Sequence, residues 1–222
     1  MITFRRPLLA VMLALVVPFA FATPKPEGRQ PEPTDHLVEV KHKFFDSVKI
    51  DTTRDIRDLK KVYIEEASAE FSRYWERDHR MDVSKNYKKK TLARYARILN
   101  EELLAAVEKE GRFEVVGTRA EADLVFVPTL QRLNIYGPDD TINTKSLVFV
   151  AGNARYDLQV IDAKNGKVVV HLEDSRETAD RGFSRPLRAT RASNTRDFKM
   201  LMRKWSKRSL EYLNSVSVDK TA

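Results

Sequence analysis

The sequence predicts an α+β domain, a mixed and largely antiparallel sheet packed in two layers against two long helices. Three observations predict it. Between Asn153 and Ala179, two runs rich in β-branched and aromatic residues flank Asn165-Gly166, a strong hairpin signal. Ser84 to Glu110 repeats Leu92, Tyr95, Ala96, Leu99, Leu103, Ala106 and Val107 at steps of three and four, as one apolar helix face requires. A second such stripe, Phe198, Leu201, Met202, Trp205, Ser209, Tyr212 and Leu213, runs through Thr195 to Val216.

The 222 residues suffice for one domain with a real core. Arg5 and Arg6, the apolar run Leu8 to Val17, Pro18, and Ala20-Phe21-Ala22 form a secretory signal, with cleavage predicted after Ala22. The apolar stretch 7–22 falls short of the roughly 20 residues that span a bilayer, so no transmembrane anchor is expected after cleavage. Residues 23–36 carry Pro24, Pro26, Pro31 and Pro33 and read as a flexible leader of polyproline character. Residues 37–216 form the predicted domain, and 217–222 a disordered tail. No cysteine occurs, which excludes a disulfide framework, thiol catalysis and a lipidated cysteine after the signal. The expected location is the periplasm.

Charge narrows the partners. Arg5 and Arg6 leave with the signal, so 38 of the 40 basic residues remain against 32 acidic ones, a net of +6. Such a surface suits anionic envelope components, peptidoglycan or lipid phosphate, or an acidic envelope protein. Export argues against nucleic acid. A plain solubilising surface accounts for the same charge.

Taken in order, Leu37 to Ile50 alternates Val38, Val40, His42 and Phe44 with Glu39, Lys41 and Lys43, a half-buried strand pattern that places His42 on the apolar side. Lys60-Lys61-Val62-Tyr63-Ile64 is a second strand. Phe71, Tyr74 and Trp75 form either a ligand-stacking surface or a plug at one end of the core. Asp82 or Ser84 caps the first long helix and Gly111 stops it. Lys88, Lys89 and Lys90 give that helix a basic start. Phe113 to Val116 is a short strand. Leu124 to Tyr136 is a longer one, and Pro128 within it predicts a bulge or an edge position. Residues 137–146 form a polar loop before Leu147 to Val150. In the hairpin, Ala154, Tyr156, Leu158 and Val160 share a covered face, while Arg155, Asp157 and Gln159 share a wetter one. In the second arm, Val168, Val170 and Leu172 alternate with Val169, His171 and Glu173. Arg181 to Asn194 reads as a loop, and Asn194 or Thr195 as the cap of the last helix.

This order resembles a family of uncharacterised bacterial envelope proteins, often lipoproteins, grouped as a domain of unknown function (DUF3313). The likeness rests on Lys-Lys-Val-Tyr-Ile, the aromatic segment Phe71 to Trp75, and a long helix leading into Arg-Phe-Glu-Val-Val. Glu-Ala-Asp-Leu opening a strand, Asp-Ala-Lys-Asn-Gly-Lys at a turn, and the tryptophan-centred last helix complete it, over Leu59 to Leu213. It implies an envelope location and supplies no catalytic residue. The chain departs from lipoprotein members in having no cysteine to acylate.

For chemistry, His36, His42, His79 and His171 stand on different elements, with no His-x-x-x-His or His-Glu-x-x-His spacing, so no metal ligand set and no cofactor is predicted. No Gly-x-Ser-x-Gly or phosphate-binding glycine loop occurs, and no catalytic residue is assigned. Arg176, Arg181, Arg185, Arg188 and Arg191 crowd into sixteen residues and form the candidate binding surface, because guanidinium groups hold carboxylates and phosphates bidentately. A solvated loop is the competing account. The alternative site is His171 with Glu173, where a carboxylate on the same strand face orients an imidazole for a hydrolase or metal-dependent enzyme. Cross-strand charge pairing is the competing account. The preferred reading is a non-enzymatic periplasmic interaction module.

Overall fold

A twelve-residue strand, Leu124–Ile135, is the axis around which the other strands assemble. The computed structural model describes residues 34–81, 83–137, 147–178 and 187–216. The expected signal, the expected leader up to residue 33, the expected tail, and Arg181 and Arg185 lie outside the described residues. In chain order the strands are β1 (Val38–Glu39), β2 (Ser47–Ile50), β3 (Lys61–Ile64), β4 (Ser68–Phe71), β5 (Glu114–Val115), β6 (Leu124–Ile135), β7 (Leu147–Val148), β8 (Gly152–Asp162), β9 (Val168–Glu177) and β10 (Leu187–Arg188). The helices are α1 (Arg73–Asp78), α2 (Lys85–Glu110) and α3 (Arg191–Val216).

The main sheet runs β1-β2-β9-β8-β6-β3-β5, with β4 also on β6, while β7 and β10 pair separately. The β1-to-β6 side is antiparallel, and β3 and β4 run parallel to β6, as β5 does to β3. The sheet is therefore mixed. Two helices of 26 residues lie against it, with a third of six residues, α1, at one end.

Three local expectations need correction. Leu37 to Ile50 is two short strands, not one. The chain turns between them because His42 Nδ1 accepts the Phe44 and Phe45 N–H groups, at 3.2 and 3.3 Å. The last helix begins at Arg191, four residues before the expected start at Thr195, because Thr190 and Ser193 cap it reciprocally. Ser193 N–H donates to Thr190 Oγ1 at 3.1 Å and Thr190 N–H to Ser193 Oγ at 3.0 Å. Pro128 is neither at a bulge nor on an edge. It pairs with Leu158 in the middle of the sheet, where the parallel neighbour of β6 changes from β3 to β4, so its missing N–H falls at the handover.

The hairpin forms as its turn requires. Gly166 holds φ +73°, a conformation that suits glycine. Tyr156, Leu158 and Val160 belong to the core, and the Tyr156 ring stacks on Trp205 of α3 with centroids 5.3 Å apart. Burying such side chains contributes roughly 1.5–3 kcal/mol each. Asp174 is fully buried on this side. It is held there by Trp205 Nε1–H, which donates to it at 2.7 Å, and by the Arg176 guanidinium. Phe71 and Trp75 belong to this core and stack at 4.0 Å, which makes them a plug, while Tyr74 stays 71% exposed.

Candidate functional site

On the sheet face opposite the helices, the register Asp157↔Glu173 and Gln159↔His171 lines up polar side chains from β8 and β9. His171 Nε2 stands 2.7 Å from Asp157 Oδ2 and 3.9 Å from Glu173 Oε1, and Glu173 is itself paired with Arg155. Candidate ligand atoms of Asp157, His171 and Glu173 lie within 4.8 Å of one another. This face is polar, but it is drier than expected. Asp157, Gln159 and His171 are all buried, because the packed cross-strand side chains shield each other. The nearest carboxylate to the imidazole is Asp157, across the strand, rather than Glu173. A 2.7 Å separation is that of an N–H donating to a carboxylate. Arg155 supplies positive charge where a metal ion would supply it.

At the end of the sheet where β4 runs into α1, a concavity of about 1310 Å³ opens. Its walls include Arg73 and Tyr74 of α1, Arg132 and Asn134 of β6, Asn153 of β8 and Glu177 of β9. A chain of hydrogen bonds crosses one wall. Ser72 Oγ–H donates to Asn134 Oδ1, Asn134 Nδ2–H to Asn153 Oδ1 at 2.6 Å, and Asn153 Nδ2–H to Tyr136 Oη at 2.7 Å. Tyr136 O–H then donates to Glu177 at 2.8 Å. Burial first, then the Glu177 carboxylate, pushes the Tyr136 hydroxyl above its ordinary pKa. Beside this chain, two residues of β6 oppose one of β8 between Gln131 and Asn134. The bulge keeps Leu133 and Ile135 pointed into the core, a parity that strict alternation after Leu130 would reverse. Arg132 absorbs the extra residue at φ +50°, where a non-glycine residue costs roughly 1–2 kcal/mol.

The third place is a crowd of cations around one ring. The Arg176, Lys204 and Arg208 side chains stand 4.4, 5.5 and 5.3 Å from the Phe44 centroid. Arg176 and Arg208 have carboxylate partners, Asp174 and Glu211. Lys204 and the neighbouring Lys43 have no carboxylate within ion-pair reach among the described residues. Burial lowers the His42 pKa, and the charges of Lys43 and Arg208 lower it further, so this turn carries a neutral imidazole inside a positive field.

Of the five arginines singled out by the sequence, the three that are described fall on three elements. Arg176 is the last-but-one residue of β9, bonded to Asp174 and the Phe44 carbonyl. Arg188 lies in β10 and Arg191 opens α3. Arg181 and Arg185 lie outside the described residues. Sequence reasoning missed Lys43, Lys204 and Arg208 as partners of Arg176, since they come from a turn and a helix far away in the chain. It also missed Asp157, although the register imposed by Asn165-Gly166 was a signal that could have found it. The Arg132 bulge had no sequence signal, because the position where glycine is usual holds an arginine.

No family model and no curated protein matches the chain. Solved structures with a likeness include the PelC dodecamer of Paraburkholderia phytofirmans, at 12% identity and a TM-score of 0.34 over 68% of this chain and 86% of that one. Another is a DUF330 protein from Xanthomonas campestris, at 9% identity and a TM-score of 0.39 over 71% and 85% of the two chains. A third is a DUF4136 family protein from Bacteroides thetaiotaomicron, at 12% identity and a TM-score of 0.33 over 81% and 98%. Likenesses this distant carry no inference about function.

Proposed function

We propose that the protein is an exported, periplasmic, non-enzymatic module of the DUF3313 kind that binds an anionic envelope component through a basic surface. The observation that carries this reading is the crowding of Arg176, Lys204 and Arg208 around Phe44, with Lys204 and Lys43 left without a carboxylate among the described residues. Like charges held this close repel one another, and a bound anion relieves that repulsion. The test is co-sedimentation with isolated peptidoglycan and with phosphatidylglycerol vesicles. Lys43→Glu combined with Lys204→Glu is expected to lower retention tenfold or more on whichever binds, with the melting temperature held or raised. Retention equal to the parent protein overturns the assignment of this surface.

A second reading, a hydrolase or metal-dependent envelope enzyme using His171 and Glu173, is favoured by one observation, the convergence of Asp157, His171 and Glu173. It predicts bound zinc after purification and hydrolysis of envelope esters or peptides that disappears in His171→Ala. A zinc-free protein whose substrate screen is unchanged by that substitution removes it.

A further inference from the structure

The concavity beside β4 and α1 shares Arg176 with the Phe44 surface, but Lys43 and Lys204 are not among its lining residues. Its volume, about 1310 Å³, exceeds the roughly 300–1,000 Å³ of ordinary small-molecule pockets, which favours an extended occupant. Its chemistry is mixed. Arg73 and Arg132 are exposed cations, Arg155 and Arg176 also line it but are paired with Glu173 and Asp174, and Glu70, Glu76 and Glu177 are acceptors on the same walls. A dense polyanion such as a phosphate polymer meets those carboxylates and is repelled. A chain bearing many hydroxyls and sparse negative charge is not. Tyr74 offers a broad exposed ring, the kind of apolar plane on which the C–H face of a sugar ring settles. Asn153, Asn134 and Glu177 are already aligned by mutual hydrogen bonds, so their remaining polar capacity is held in place for hydroxyl groups.

Arg132 is the residue that sets this place apart. It occupies a left-handed bulge position at which glycine is the unstrained choice, yet it carries a long cationic side chain into the concavity. No carboxylate pairs with it among the described residues. Asn134 Nδ2–H donates to the Arg132 carbonyl at 3.0 Å and ties the strained backbone to the polar chain along the wall.

We infer that this concavity binds a carboxylate-bearing saccharide chain, with Arg132 holding the carboxylate, Tyr74 stacking on a sugar ring and Glu177 and the asparagines taking its hydroxyls. The probes are a tetrasaccharide alternating N-acetylglucosamine with N-acetylmuramic acid, a hyaluronan tetrasaccharide and neutral chitotetraose, titrated calorimetrically against the full chain. Binding of either acidic probe at least tenfold tighter than chitotetraose is expected, and which of the two binds distinguishes a wall-type carboxylate from a uronate. Arg132→Gly is expected to fold with an unchanged or higher melting temperature and to lose tenfold or more in affinity. Arg132→Lys, which keeps the charge but not the bidentate fork, is expected to fall between. Lys43→Glu with Lys204→Glu leaves this binding intact, so failure of the Phe44 surface and failure of this site are separate results. No binding of either acidic probe at millimolar concentration, equal binding of chitotetraose, or full affinity in Arg132→Gly overturns the inference.

Discussion

Glu102 of α2 is 7% exposed and meets Arg203 at 2.7 Å and Lys199 at 3.4 Å, both from α3. Burial alone would raise its carboxyl pKa, but hydrogen bonds and charge from Arg203 and Lys199 outweigh burial and hold it below the usual value. The folded pKa is therefore depressed relative to the unfolded chain. The contribution is fully present above the unfolded value of about 4.3 and is lost as pH falls through the lower folded value. Glu102→Gln is expected to cost about 1–2 kcal/mol at pH 7 and to flatten the loss of stability below about pH 4, measured by urea unfolding across pH. Among the described glycines, Gly152 has the least room. A Cβ there meets the Asn134 carbonyl oxygen at 1.9 Å and the Phe198 ring at 3.1 Å, at φ +151°. Gly166 meets nothing within 4 Å, so alanine there adds only backbone strain. Gly152→Ala is expected to cost about 3 kcal/mol or more and Gly166→Ala about 1 kcal/mol, compared by the same unfolding measurement.

Among the elements, α2 was the most legible, because its stripe, its cap and its stop agree. Ser84 Oγ accepts the Tyr87 N–H at 3.1 Å, and Gly111 takes φ +67° just past the last turn. Ser84→Ala is expected to lower stability by about 1 kcal/mol, seen as a shift in the urea midpoint without a change in slope. The β8–β9 hairpin was equally legible, from Asn165-Gly166 and two alternating arms. Elsewhere, distant contacts decided the outcome. His42 looked like one more inward residue of a strand, yet its ring accepts two backbone N–H groups and turns the chain. Thr190 and Ser193 looked like loop residues until they capped each other. The arginines looked like one surface because they are close in sequence, but β9, β10 and α3 carry the described ones to different elements. Asp157 was within reach of the hairpin register, whereas Lys204 became a neighbour of Arg176 only through helix packing, which no local pattern encodes.

At the scale of the molecule, an excess of positive charge meets a fold that concentrates part of it on one ring. Self-repulsion of this kind is screened within about a Debye length, roughly 8 Å at physiological ionic strength. Added sodium sulfate is expected to raise the melting temperature of the parent protein more than that of Lys204→Gln, measured by differential scanning fluorimetry at fixed pH. Equal shifts would show that the charge around Phe44 is not strained. The strand order carries another consequence, in the timing of folding. Of the first four strands, β1 and β2 pair with one another, but β2 otherwise waits for β9, β3 for β5 and β6, and β4 for β6. As the chain is synthesised, the first 113 residues can coil into helix yet cannot close any strand pair beyond β1–β2. Loop-closure entropy then leaves the hairpin of β8 and β9, with β6 beside it, as the template on which earlier strands condense. A ribosome-bound chain ending before Leu124 can hold only the isolated β1–β2 and β3–β5 pairs, and the protein is expected to become protease-resistant only once its second half has emerged.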